Sequence, residues 1–330
     1  MSILDVLIVG AGPSGLAAAI ACERRGLEYE VLERGVMVDS IFRFPTQMVF
    51  FTTPELLEIG GLPFVSPFDK PTRLEALRYY RRVVDTFRLR VSLGEDVQSV
   101  CRRDEADEAV FDVRSRVAGA ERALQSRAVI LATGYYDQPN RLDVPGEDLP
   151  HVLHFYKEAH PYFRRRVVVV GGANSAAEAA LELHRAGAKV TLVHRREALS
   201  PSIKYWVLPD IENRIKEGAI AARFRARVLA ITPEAVSIER DGAREEIAAE
   251  AVLLLTGYHT DRAFLRRCGV GFDEASGAPR YDPETMETDL PGLFLAGGVV
   301  VGDNTAPVFI ENGRLHGEKV VGLIASRLGR

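Results

Sequence analysis

Residues 5–35 read "DVLIVGAGPSGLAAAIACERRGLEYEVLERG", an apolar β-branched strand, a glycine-rich turn, an Ala-rich helix ended by Gly26, and a second β-rich strand. That order describes a βαβ unit on a buried parallel sheet. Gly10, Gly12 and Gly15 carry the spacing GxGxxG. Gly10 permits the tight turn, Gly12 lets the backbone approach a pyrophosphate, and Gly15 lets the helix pack close to the strand. The pyrophosphate would sit on free backbone N–H groups at the positive end of the helix, where Pro13 and Ser14 stand. Ser14 could donate a hydrogen bond to a phosphate oxygen or cap the helix. Glu33, 18 residues after Gly15, ends the second strand with Arg34 beside it, and its carboxylate is placed to accept hydrogen bonds from ribose hydroxyls. In a chain with 28 glycines the spacing alone is weak; the strand before it and the helix after it give it meaning.

The same unit occurs again at residues 166–196, "RVVVVGGANSAAEAALELHRAGAKVTLVHRR". Gly171 and Gly172 make its turn, Ala173 and Ala176 replace the later two glycines, and Asn174 and Ser175 open its helix. Counting 23 residues from Gly10 reaches Glu33, and the same count from Gly171 reaches His194, followed by Arg195 and Arg196. A carboxylate would repel a 2′-phosphate, whereas two guanidiniums bind one through charge-assisted forked hydrogen bonds. The second site is therefore expected to prefer NADPH.

With 330 residues the chain exceeds the size at which one core keeps growing, so two domains are expected. A net charge of −4 offers no long-range attraction to nucleic acid or an anionic membrane. Met1 runs almost directly into the first strand and no run of about 18 apolar residues occurs, so we expect a cytoplasmic protein. Cys22, Cys101 and Cys268 are odd in number and lack CxxC spacing, which indicates neither a disulfide framework nor a zinc site. "SRAVILATGYY" (126–136) and "AVLLLTGYHT" (251–260) are apolar strands ending in Thr-Gly, the expected crossing points between domains, and Gly134 and Gly257 in them are candidate cofactor-binding residues. "LPGLFLAGGVVVGD" (290–303) reads as a late strand of the first domain and "GRLHGEKVVGLIASRLG" as a closing amphipathic helix. The fold class is α/β, with two nested Rossmann-like three-layer domains: residues 1–139 and 261–330 form a discontinuous first domain, and 140–260 are inserted between them.

This nested order resembles the small thioredoxin reductases, in which a flavin passes electrons to a Cys pair just before the second fingerprint. Those two positions are His154 and Lys157 here, so the dithiol is absent. Neither imidazole nor amine can carry a two-electron disulfide step. The strings "FFTTPELLEIGGLPF", "ATGYYDQPN", "HFYKEAHPYF", "GGANSAAEAALEL", "SPSIKYWVLPDI" and "FIENGRLHG" are similar to those of bacillithiol disulfide reductases of the YpdA type, over nearly the whole chain. The resemblance implies an FAD enzyme, a homodimer, that uses NADPH to reduce the disulfide of a low-molecular-weight thiol. It places the FAD pyrophosphate and ribose on Gly10, Gly12, Gly15 and Glu33, the flavin ring near Thr46 and Gln47, and the adenine near the backbone of Val97. NADPH would fall to Asn174, Ser175, Arg195 and Arg196.

The chain departs from related patterns in three places. The flavoprotein Asp after "AG" is replaced by Gly298, with Asp303 as the candidate substitute. The thioredoxin reductase pattern "HRRxxxR" loses its last Arg to Ser200, with Lys204 as a candidate third cation. Ser14 stands where many bacillithiol reductases carry a Cys proposed to take part in disulfide exchange, and a thiol at a helix N-terminus would be thiolate-favoured. A hydroxyl cannot form a disulfide. Three alternatives therefore stand beside the disulfide reductase. The first is a ferredoxin or flavodoxin NADP reductase with a small redox protein as acceptor. The second is a flavin-containing monooxygenase, whose functional Asn would fall at Thr52. The third is a flavin redox sensor without turnover.

Overall fold

The computed structural model describes residues 3–104, 109–302, 305 and 307–330. The chain forms two compact units: unit 1 is Met1–Arg43, Val49–Gln138 and Tyr258–Arg330, and unit 2 is Phe44–Met48 and Pro139–Gly257.

Unit 1 opens with β1 (Leu4–Val9), α1 (Pro13–Arg24) and β2 (Tyr29–Glu33), followed by the short α2 (Asp39–Arg43) and by α3 (Arg73–Phe87). Thr72 caps α3 in a capping box with Glu75, which satisfies two backbone donors reciprocally. Next come β3 (Val91–Leu93), β4 (Glu95–Asp104), β5 (Ala109–Val117), β6 (Ala120–Leu131) and the two-residue β7 (Gln138–Pro139). The sheet runs β3-β2-β1-β6-β5-β4. Strand β6 changes partner along its length: Ala120–Ser126 pair antiparallel with β5, and Ser126–Leu131 pair parallel with β1. One strand thus joins the parallel nucleotide-type sheet to an antiparallel meander. Helix α1 buries every residue from Gly15 to Cys22, as a helix apolar all round must.

Unit 2 repeats the plan. Its strands are β8 (Val152–Leu153), β9 (Arg166–Val170), β10 (Lys189–Val193), β11 (Ala221–Arg223), β12 (Ala226–Ile231), β13 (Ala235–Arg240), β14 (Ala243–Ala248) and β15 (Ala251–Leu254); its helices are α4 (Asn174–Arg185) and α5 (Leu208–Lys216). The parallel sheet β11-β10-β9-β15-β8 is distinct from the antiparallel β12-β13-β14. Alternation along β9 makes three layers: Val167 and Val169 pack against the helices, while Val168 and Val170 pack with Val236 and Ile238 of the meander.

The chain returns to unit 1 through β16 (Tyr258–His259), α6 (Arg262–Arg267), β17 (Leu293–Leu295), α7 (Ile310–Gly313) and α8 (His316–Arg327). The late strand spans only three residues, paired with β6, and a 3-10 turn over Gly297–Val300 follows it. Helix α8 crosses α1 closely because residue 317 is Gly, where a Cβ would run into the Ala18 backbone. Both units are Rossmann-type α/β layers. Among the described residues no helix is long and apolar enough to cross a membrane.

Candidate nucleotide-binding sites

In unit 1 the three fingerprint glycines have different reasons. Gly10 is left-handed (φ +106°), and a Cβ there would lie 2.6 Å from the Ala132 carbonyl oxygen. A Cβ at Gly15 would run into the Gly10 carbonyl oxygen. At Gly12 a Cβ would meet nothing within 4 Å. The fold itself therefore demands Gly10 and Gly15, while the space in front of Gly12 is left open at the N-cap of α1. Pro13 is the first helical residue, where its missing N–H costs nothing, and no side chain caps the helix. The free N–H groups of that first turn can receive a phosphate.

Ser14 does not cap α1, which corrects one of its two expected roles. Its side chain lies against Gly297, where a Cβ would overlap the hydroxyl, and a Cβ at Gly313 would approach it to 3.3 Å. No hydrogen bond of this hydroxyl occurs among the described residues. His316 joins the same corner, its Nδ1 accepting the Gly297 N–H at 3.1 Å. Burial first, and Lys319 second, hold the His316 pKa below its ordinary value. Sequence reasoning missed Gly297, Gly313 and His316 as neighbours of the turn; the last two lie in the quoted string "FIENGRLHG".

Glu33 is half-buried, and its carboxylate accepts the N–H groups of Ala11 and Gly35, both at 2.8 Å. It closes the turn, and each oxygen keeps a second lone pair for a ribose hydroxyl. Burial raises its pKa against those two bonds. Arg34 reaches Asp137 at 2.6 Å, and Asp137 also pairs with Arg43. Gly134 is left-handed (φ +67°), and the Tyr135 ring lies against Gly298, where a Cβ would be 2.9 Å away. Val97 is buried at a register shift of β4 on β5. Asp303 lies outside the described residues. Thr46 and Gln47, expected near the flavin ring, are exposed and belong to unit 2, where the Thr46 N–H donates to the Lys157 carbonyl at 2.8 Å.

In unit 2, a Cβ at Gly171 would lie 2.5 Å from the Leu255 carbonyl oxygen, so this turn too needs its glycine. The His194 ring lies on Gly172, where a Cβ would overlap it. Burial, then Arg196, then Arg195, push the His194 pKa down, so positive charge at this strand end comes from the two arginines. Both are exposed, and neither forms an ion pair among the described residues. Ala176 is buried in the first turn of α4, and Ser175 is exposed there.

The Asn174 side chain, expected on NADPH, is engaged within the protein. Its Oδ1 accepts the Lys204 N–H at 2.9 Å and its Nδ2 donates to the Ser202 carbonyl at 3.2 Å. The Ser200 N–H donates to the Gly172 carbonyl at 2.8 Å, so residues 200–204 are pinned to the turn. The Lys204 ammonium is paired with Glu178 at 2.8 Å and its side chain is 12% exposed, which takes it away from the role of third phosphate cation. Gly257 is left-handed (φ +94°) and its carbonyl accepts the Asn140 N–H at 2.9 Å. At the absent-dithiol positions, His154 Nε2 stands 3.6 Å from Glu147, and the Lys157 carbonyl holds Thr46.

The cysteines are unsuited to replace that dithiol. Burial pushes the thiols of Cys22 and Cys268 up to about 12, far from thiolate character at neutral pH, and Cys101 lies exposed on β4.

Residues 7–297 match the pyridine nucleotide-disulphide oxidoreductase family. The bacilliredoxin reductase Bdr of Bacillus subtilis (strain 168) is 43% identical over 97% of each chain. Two solved structures are similar in fold throughout: the bacillithiol disulfide reductase Bdr (YpdA) from Bacillus cereus, 42% identical with a TM-score of 0.95 over 99% of this chain and 100% of that one, and its Staphylococcus aureus counterpart, 39% identical with a TM-score of 0.93 over 99% of each. The chain is an FAD- and NAD(P)H-dependent oxidoreductase; it belongs to the pyridine nucleotide-disulphide oxidoreductase family, among the bacillithiol disulfide reductases of the YpdA type.

Proposed function

We propose that this enzyme uses NADPH to reduce bacillithiol disulfide, working as a homodimer, with FAD on residues 1–139 and 261–330 and NADPH on 140–260. One observation carries the cofactor reading: the same strand end bears a carboxylate, Glu33, in one repeat and His194-Arg195-Arg196 in the other. A carboxylate suits a ribose diol and repels a 2′-phosphate; paired guanidiniums do the reverse. The open space before Gly12, the uncapped N–H groups of α1 and the remaining lone pairs of Glu33 fit a dinucleotide pyrophosphate and ribose. Bound there, FAD would supply the two-electron carriage between nicotinamide and disulfide. The side chains supply position and charge, as is usual where a cofactor carries the chemistry. Overall, NADPH, one proton and the disulfide become NADP⁺ and two thiols.

A second reading is favoured by Ser14 and by the buried, protonated thiols of Cys22 and Cys268: a ferredoxin or flavodoxin NADP reductase needs no thiol. Anaerobic oxidation of NADPH with bacillithiol disulfide, a ferredoxin and a flavodoxin separates the two. The disulfide should support the fastest turnover in the wild type. Turnover with the ferredoxin or flavodoxin and none with the disulfide would replace the first reading by the second. Disulfide reduction that emerges only in Ser14→Cys would show that the native chain has another acceptor.

A further inference from the structure

In unit 1 the residue just before the meander strand β4 is Gly94, left-handed (φ +70°), and its N–H donates to the Gly35 carbonyl at 3.2 Å. Gly35 stands two residues beyond Glu33. In unit 2 the residue just before the meander strand β12 is Arg225, also left-handed (φ +53°), and its N–H donates to the Arg196 carbonyl at 2.9 Å. Arg196 stands two residues beyond His194. Gly94 and Arg225 are therefore counterparts in the two repeats, with the same turn and the same backbone bond to the strand end that distinguishes the two nucleotides. A left-handed backbone favours glycine, which unit 1 has. Unit 2 puts an arginine there despite the conformational cost.

Two more bonds fix the register. The His194 N–H donates to the Arg223 carbonyl at 2.9 Å, and the Ala226 N–H donates to the His194 carbonyl at 3.0 Å. Arg225 is thus tied beside Arg195 and Arg196, while Ser200 and Lys204 are engaged elsewhere in the unit. The only ion pair Arg225 makes among the described residues is with Asp241, at 3.3 Å, and Asp241 also faces Arg240 at 3.8 Å. The side chains of Arg225 and Asp241 are 59% and 55% exposed, and an exposed pair of this kind holds its partners weakly.

We propose that Arg225 is the third arginine of the 2′-phosphate site, a specificity residue that separates NADPH from NADH together with Arg195 and Arg196, with Asp241 as its resting partner. This rests on the assignment of unit 2 to NADPH. The guanidinium gives up an exposed carboxylate for a phosphate dianion, which offers more charge and more acceptor oxygens.

The test is calorimetric binding of 2′,5′-ADP and of 5′-AMP to the holoenzyme. The variants are Arg225→Gly, which restores the residue of the other repeat and relieves the left-handed backbone, Asp241→Asn, and the double variant Arg195→Ala with Arg196→Ala. Arg225→Gly should weaken 2′,5′-ADP about tenfold, the scale of one charge-assisted hydrogen bond, and leave 5′-AMP unchanged. Asp241→Asn should tighten 2′,5′-ADP. Equal weakening of both ligands by Arg225→Gly would reduce Arg225 to a structural role and overturn the proposal. Unchanged 2′,5′-ADP binding in Arg225→Gly, with a large loss in the double variant, would also overturn it while leaving the NADPH assignment standing. No loss in the double variant would remove the assignment itself, and the Arg225 role with it.

Discussion

At His194 a ring sits on Gly172 where the other repeat has a carboxylate, and its burial decides its charge. An unfolded histidine titrates near 6.5, and the folded His194 titrates lower. Between those two values the unfolded chain binds the proton and the native one does not, so stability falls as pH drops through that window and levels off below the folded pKa. His154 and His316 are lowered for the same leading cause and add to the slope. His194→Asn should therefore remove part of the fall in urea midpoint between about pH 7 and pH 5. A slope identical to wild type would mean that His194 titrates alike in both states. Asn174 and Lys204 are sound candidates by residue type, but their polar atoms face partners 28 and 26 residues away, at Ser202 and Glu178. Sequence alone does not display which donors a fold has already satisfied.

At the scale of the element, the turn between β1 and α1 separates fold from function within six residues. Gly15→Ala drives a methyl into the Gly10 carbonyl and should destabilise the unit by about 1–3 kcal/mol, the usual range for overpacking. Gly12→Ala points its methyl into open space, so the purified protein should lose its flavin while the thermal midpoint, compared between flavin-free wild type and flavin-free variant, stays nearly unchanged. Flavin content and thermal denaturation read the two effects apart. A Gly12→Ala enzyme with full flavin would show that the pyrophosphate does not approach this backbone. The two βαβ units were legible because a period of two residues in strands, an Ala-rich helix and a closing glycine are local signals. The three-residue β17 and the 3-10 turn after it were not, because their form depends on pairing with β6 and on His316 holding Gly297.

For the molecule as a whole, the chain builds two copies of one plan with different edges. Unit 1 runs its meander into the parallel sheet through β6, and unit 2 folds its meander as a separate layer over β9. The homodimer expected of this family should appear as a light-scattering mass of about twice the 36.4 kDa chain. A mass near that of one chain would refute it. The sequence by itself determined the repeated nucleotide fold and the opposite chemistry of its two strand ends, Glu33 against His194-Arg195-Arg196. Those signals lie within about 30 consecutive residues, the span of one βαβ unit. Only the tertiary structure decided that Ser14 faces Gly297 and Gly313, that Glu33 closes its own turn, that Phe44–Met48 joins unit 2, and that Arg225 stands beside Arg196. Burial and hydrogen-bond partners are set by segments distant in the chain, and no local pattern records them.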